Sequence, residues 1–318
     1  MAYIVNFNTC SYKHVFNCLF TSAMKVLTRL QEIPEFNREN IHIRDETELV
    51  AKLNRIIKGG HNKLQIVTDF DHTLTRHTLD NGKSVLTSFG MFRECPSIPQ
   101  HYKDEDVRLA SIYKPIEADP VMTVEEKTKH MVDWYIAAHA LLKGVQFPRS
   151  ELTHVANKMI DSFRKGVKEL IIWSQTHEVP VLVFSAGLGE SVVAALKAAN
   201  FLLPHVKVVS NFLALDENDK IVGIKGEVIH TYNKNETAIK NTDYYNLVQQ
   251  RSNVILMGDN IGDAGMAEGM DHCDVVVKVG FLGHSAEGNL PNYKKKFDIV
   301  LVNEPSMDIV NAMVKLVL

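Results

Sequence analysis

The chain has 318 residues, 45% hydrophobic and 23% charged, which excludes a disordered or fibrous protein and suits about two domains, or one domain carrying a large insertion. A formal charge of −3 gives no basic excess for holding a nucleic-acid polymer, although a local pocket can still attract a small anion. Cys10, Cys18, Cys95 and Cys273 show no CxxC spacing, and no apolar run approaches the roughly 20 residues of a bilayer span, so a reduced, cytoplasmic protein without membrane contact is expected.

In chain order, residues 1–32 are expected to form a helical appendage with no assignable role. Their most apolar stretch, 15–24, is interrupted by Asn17, Thr21 and Ser22. A helix is predicted over 46–58, then a strand over 64–68. Further short β-rich runs lie at 179–184, 206–209, 254–257, 275–279 and 299–302, and helical stretches at 164–177, 190–200, 236–250 and 306–318 alternate with them. Strands apolar on both faces, separated by helices, specify an α/β fold with a Rossmann-like parallel sheet.

About 110 positions separate the first two of these strands, far beyond an ordinary crossover, so the gap must hold an inserted subdomain. Within it, Thr123-Val124-Glu125-Glu126 reads as a capping box, and Met131, Trp134, Tyr135, Ala138 and Leu142 recur at helical steps behind it. Ser150 is placed to cap a further helix running to Gly166. The expected organisation is a core of residues 33–77 plus 164–318, a helical cap over 78–163, and a β-hairpin within 211–231 turning at Glu217-Asn218-Asp219.

Four segments carry the chemistry. Asp69-Phe70-Asp71-His72-Thr73 sets two carboxylates where a buried strand runs out, the edge at which open α/β sheets bind ligands. One can attack as a nucleophile while the other handles protons, a division that suits phosphoryl transfer. Ser185-Ala186-Gly187, after the second strand, offers a hydroxyl and glycine-freed N–H groups to an anion. Lys234 is placed to neutralise phosphate charge. Gly258-Asp259-Asn260-Ile261-Gly262-Asp263 ends another strand in carboxylates; Asp69 and Asp259 are hard oxygen donors suited to Mg²⁺, with Asp263 behind them orienting Lys234 or a metal-bound water. Taken singly, each has a plain alternative: solvated aspartates, a capped glycine turn, a surface lysine. Their shared order and strand-end placement make the joint reading the stronger one.

DxDxT, then a strand-end serine, a lysine and GDxxGD together resemble the haloacid dehalogenase-like (HAD-type) phosphatases. Longer matches are more specific. Ile33-Pro34-Glu35-Phe36, Ile57-Lys58-Gly59-Gly60, Ile116-Glu117-Ala118-Asp119-Pro120, Phe184-Ser185-Ala186-Gly187, Val208-Val209-Ser210-Asn211-Phe212 and Phe297-Asp298-Ile299-Val300-Leu301 resemble the cytosolic 5'-nucleotidase III family over about residues 33–318. That family includes pyrimidine and 7-methylguanosine-phosphate-specific nucleotidases. The resemblance implies Mg²⁺-dependent hydrolysis of nucleoside 5'-monophosphates. It implies Asp69 as nucleophile and metal ligand, and Asp71 as acid/base that also binds metal through its carbonyl. Ser185, Ala186 and Lys234 are implied at phosphate, Asp259 at metal, and Glu117 at the base. His72 stands where methionine or arginine is common, and Asn260 where serine is usual; neither removes a catalytic group.

Base choice is expected to lie in the cap, where aromatic rings can stack on a nucleobase. Trp134 and Tyr135 are available, with Phe89 or Phe92 opposite, although Met131 and Ala138 on the face of Trp134 also suit it to the core of the cap. Ser88-Phe89-Gly90-Met91-Phe92 resembles the 7-methylguanylate-preferring members, whereas Tyr135 replaces a tryptophan common among them. The expectation is activity on CMP and 7-methyl-GMP, with UMP weaker, in a protein more suited to a monomer than to an obligate oligomer. Rival expectations are a phosphatase for another small metabolite, a nucleoside phosphotransferase, and a silent nucleotide-binding protein, the last disfavoured by intact Asp69, Asp71, Lys234 and Asp259.

Overall fold

A computed structural model describes residues 26–119, 121–235, 239–240, 243–283, 288–303 and 305–317. The expected appendage over 1–32 falls mostly outside them; what is described of it includes a short 3-10 turn, Leu30–Glu32, with Leu30 buried. Seven strands form one sheet: β1 (Ile41–Ile43), β2 (Leu64–Thr68), β3 (Val181–Leu188), β4 (Val206–Asn211), β7 (Asn253–Gly258), β8 (Val275–Leu282) and β9 (Ile299–Val302). Their order is β1-β9-β8-β7-β2-β3-β4, with β1 antiparallel to β9 and every other pair parallel. All five residues of β2 and all six of β7 are buried, because helices cover both faces. The expected doubly covered α/β core is therefore present, and the chain crosses outward in both directions from β2, β3 and β7 at the centre.

The predicted strands match six of these seven. β1 escapes the pattern because Ile41-His42-Ile43 is too short to show a period. The other difference matters for the site. The second strand was expected to end at residue 184, but β3 continues through Ser185, Ala186 and Gly187 to Leu188, with a register shift between Phe184 and Leu188. Side chains from β4 sustain that extension: Ser210 Oγ donates to the Gly187 carbonyl at 2.9 Å and Asn211 Nδ2 to that of Ala186 at 2.8 Å.

Helix α1 (Glu46–Gly59) opens with Asp45, whose side chain accepts from the Glu48 N–H, and α6 (Val167–Thr176) and α7 (Gly189–Ala198) follow the predicted positions within a few residues. The helix expected over 236–250 is described only as α8 (Asp243–Val248); residues 236–238 and 241–242 lie outside the described set. α9 (Leu290–Lys296) and α10 (Asp308–Val314) complete the core. The excursion between β2 and β3 carries α2 (Ser88–Arg93), α3 (Gln100–Ala118), α4 (Val124–Leu142) and α5 (Arg149–Lys158). The Thr123 capping box forms as read from sequence. The helix expected from Ser150 to Gly166 is shorter: α5 ends at Lys158 and a 3-10 turn, Ile160–Ser162, follows.

This excursion does not stand apart as one body. α2 and α5 pack on core helix α7, while α3 and α4 pair with each other and reach over the strand ends. The expected hairpin is present as β5 (Leu213–Leu215) and β6 (Ile221–Ile224), with Asp219 in the left-handed region at φ 59. It is tied to the end of α4 through Gly144 N to Ile221 O at 2.7 Å and Ile221 N to Val145 O at 2.9 Å.

Candidate active site

A cavity of about 230 Å³ opens where β2, β3 and β7 end beneath α3 and α4. The core contributes Asp69, Asp71, His72, Ser185, Ala186, Gly187, Lys234, Asp259 and Asp263 to its wall. The excursion contributes Phe89, Lys114, Glu117, Trp134 and Tyr135. Strand ends place the carboxylates here because β2 and β7 run parallel in register, with Thr68 opposite Met257, so their following aspartates emerge side by side.

Lys234 is buried and joins two of these acids. Its ammonium donates to Asp69 Oδ1 in a very short contact and to Asp263 Oδ1 at 2.8 Å. Burial opposes its charge, but Asp263 and Asp69 outweigh burial and push its pKa upward. Burial, reinforced by the charges of Asp263 and Asp71, raises Asp69 to about 7 despite Lys234. Asp259 is raised well above the usual carboxylate range by burial and by the charges of Asp69 and Asp263. Such a set of acids is costly without positive charge among them, and one lysine supplies only part of it.

Oxygens of Asp69, Asp259 and Asp263 lie within 4.8 Å of one another. This all-carboxylate, hard-oxygen set fits a divalent cation of the Mg²⁺ kind. Asp263, expected behind the metal ligands orienting Lys234 or a metal-bound water, bonds Lys234 and also joins this cluster. Gly258 permits its approach: a Cβ there would sit 2.2 Å from the Asp263 Cβ. Asp263 also accepts from the Asn260 N–H at 2.9 Å, closing the loop after β7.

Asp71 faces the cavity from a separate turn. Its carboxylate accepts from the Ser88 N–H at 2.8 Å and the Ser88 hydroxyl at 2.6 Å, at the first residue of α2. Burial raises its pKa while these two bonds hold it down. A protonatable carboxyl fixed in direction is what an acid/base requires. Gly187 makes room for the pair, since a Cβ there would meet Ser88 Oγ at 1.9 Å. Ser185 is buried and its Oγ accepts from the Gly187 N–H at 3.0 Å, leaving its hydroxyl hydrogen for an anion.

Arg164 fixes the turn that presents Asp71. Buried between segments, it donates to the carbonyls of Thr73 at 3.0 Å, Pro305 at 2.7 Å, His72 at 2.7 Å and Thr75 at 3.2 Å. Neither Arg164 nor Ser88 was foreseen as a functional residue; Ser88 lay inside the segment read for its aromatics, and Arg164 had no motif around it.

Of the aromatics, Phe89, Trp134 and Tyr135 line the cavity and Phe92 does not. Phe92 is fully buried against Tyr102 and Phe147, so its expected place in the base clamp is corrected to core packing. Trp134, suited in sequence to the core of the cap, is instead half-buried on the cavity wall and stacked on Tyr113 at 5.7 Å. Tyr135 meets Phe89 edge-on at 6.2 Å and donates its hydroxyl to the Ala186 carbonyl at 2.9 Å, tying α4 to β3. Glu117 accepts from Thr231 Oγ1 at 2.6 Å, and its carbonyl accepts from Tyr232 and Lys127 at 2.9 Å each. Burial raises the Glu117 pKa.

Strand-end carboxylates, a buried lysine bonded to two of them and a cation-competent acid cluster lie together beneath a helical excursion, an arrangement suited to the chemistry of a phosphohydrolase. A HAD family hydrolase from Salmonella enterica serovar Typhi shares the fold alone, at 14% identity and a TM-score of 0.52 over 81% of this chain and 73% of that one. The family model described as pyrimidine 5'-nucleotidase (UMPH-1) matches residues 72–318, and the chain belongs to that family. Its relatives include the 7-methylguanosine phosphate-specific 5'-nucleotidase of Drosophila melanogaster, 41% identical over 91% of each chain. A crystal structure of cytosolic 5'-nucleotidase IIIB bound to cytidine superposes with a TM-score of 0.87 at 41% identity, covering 91% of this chain and 97% of that one. Among the described residues, no helix is long and apolar enough to cross a membrane.

Proposed function

We propose that this 5'-nucleotidase hydrolyses CMP and 7-methyl-GMP, with UMP slower, through an aspartyl phosphate on Asp69 in the cytoplasm. The observation that carries this reading is the single cavity that joins the Asp69–Lys234–Asp263 cluster to the wall of Phe89, Trp134, Tyr135 and Glu117. Aromatic faces beside a carboxylate suit a stacked base, and a cationic 7-methylguanine most of all. The relatives support the choice of bases, one being specific by name for 7-methylguanosine phosphate and another having been crystallised with cytidine.

Asp69 attacks phosphorus in line while Asp71, aimed by Ser88, protonates the departing 5'-oxygen. Asp71 then takes a proton from the water that attacks the phosphoryl group, which returns Asp69 to its carboxylate. Lys234 and Ser185 hold the equatorial oxygens as charge spreads over them. Asp69 and Asp259, with Asp263 beside them and the Asp71 carbonyl proposed as a further donor, would hold Mg²⁺, which supplies charge neutralisation and Lewis acidity at the phosphoryl group. The α3–α4 pair acts as the cap that excludes bulk water while the base is checked.

Initial rates of phosphate release from CMP, UMP, 7-methyl-GMP, GMP and AMP, with Mg²⁺ and after chelation, test the proposal. CMP and 7-methyl-GMP should lead by at least about tenfold in kcat/KM, which corresponds to about 1.4 kcal/mol of base selection, and chelation should abolish release. Equal turnover of all five nucleotides would refute base selection.

A further inference from the structure

The cavity wall carries six carboxylates, from Asp69, Asp71, Asp106, Glu117, Asp259 and Asp263, and the cations Arg93, Lys114 and Lys234. Two of those cations are already engaged. Lys234 lies between Asp69 and Asp263, and Arg93 Nη1 donates to Asp106 at 2.7 Å. Lys114 differs: among the described residues, no hydrogen bond or ion pair holds its ammonium.

Its position is set by α3. Asp106, Ala110, Lys114 and Glu117 follow one another at four-, four- and three-residue steps, which puts them on a single helical face, and all four line the cavity. Lys114 is exposed, so it stands at the cavity rim one turn before half-buried Glu117. Its charge bears on Glu117 as well as on Asp71 and Asp106.

We propose that Lys114 is a specificity-determining residue, an uncommitted ammonium beside Glu117 that favours neutral bases bearing carbonyl acceptors and penalises the cationic 7-methylguanine. The proposal rests on the reading that Glu117 and its aromatic neighbours form the base chamber, and it deepens that reading. A carboxylate alone would draw a cationic base. A lysine on the preceding turn offsets that attraction and offers a donor to a pyrimidine carbonyl oxygen. The chamber therefore weighs two opposed charges on one helix, and the balance between pyrimidine and methylated purine lies in their sum.

The test measures dissociation constants of cytidine and 7-methylguanosine for the full chain, for Lys114→Met and for Lys114→Arg, at low and moderate salt. Nucleosides carry no phosphate ester, so the ratio of constants reports on Lys114 whether or not the chain turns over nucleotides; absence of phosphate release from nucleotides would count separately against the proposed function. Removing one unit charge across a partly hydrated gap should shift the ratio toward 7-methylguanosine on the order of tenfold in Lys114→Met. Lys114→Arg should keep the wild-type ratio, and the Met effect should shrink as salt rises. An unchanged ratio in Lys114→Met, or the same change in Lys114→Arg, would overturn the proposal.

Discussion

Single residues decide what the two strand-end aspartates can do. Asp69 and Asp71 are two apart in sequence, yet Asp69 shares Lys234 with Asp263 whereas Asp71 turns to Ser88. The division of roles proposed for Asp-Phe-Asp rests on those different partners. Ser88 is 17 residues downstream of Asp71, and nothing local in the sequence links them. Ser88→Ala should keep the fold and the Asp71 backbone contact but lose the 2.6 Å hydroxyl bond. A hydrogen bond to a charged group contributes about 1.5–3 kcal/mol, so kcat should fall about 10–100-fold with KM little changed. Steady-state kinetics on CMP checks this, and an unaltered kcat would remove Ser88 from the positioning of Asp71.

At the scale of elements, what could be read from sequence was what is local. Strand β2, its terminal aspartates, the Thr123 cap of α4 and the GDxxGD turn each announce themselves within a dozen residues. The run-on of β3 to Leu188 could not be read so, because it depends on Ser210 and Asn211 from β4 reaching the Gly187 and Ala186 carbonyls. Phe92 was misplaced for a similar reason: one helical step from cavity-lining Phe89 carries it into the packing with Tyr102 and Phe147. Helix α4 also buries His139, whose Nε2 has no partner among the described residues and whose pKa burial lowers to about 4.

The unfolded histidine titrates near 6.5, so between about pH 6.5 and 4 the unfolded chain binds a proton that the folded chain refuses. Stability from this group is complete above that window and falls as pH drops through it. By pH 5 the loss should be of the order of 2 kcal/mol. Urea midpoints at pH 7.5, 6 and 5 measure it: the wild type should weaken toward pH 5 more steeply than His139→Leu. Parallel slopes for the two proteins would place the acid sensitivity elsewhere.

Across the whole molecule, a parallel sheet gathers chemistry from remote parts of the sequence to one edge. β2, β3 and β7 deliver Asp69, Ser185 and Asp259 to one cavity, and α3 and α4 close over it with Glu117 and Trp134. The class of the protein was legible because Asp69 and Asp259 directly follow buried strands, so short local motifs mark the sheet edge where ligands bind. The chamber proposed for the base was less legible because its shape depends on how two excursion helices lean over that edge, and sequence period alone does not fix this.

The central claim is a covalent phosphoryl bond to Asp69. Mixing the Mg²⁺-loaded enzyme with excess CMP, quenching within milliseconds and reducing acyl phosphates with borohydride would convert a phosphorylated aspartate to homoserine. The account predicts homoserine at position 69, appearing as fast as turnover and absent without substrate. Full turnover with an unmodified Asp69, or conversion at another carboxylate, would contradict it.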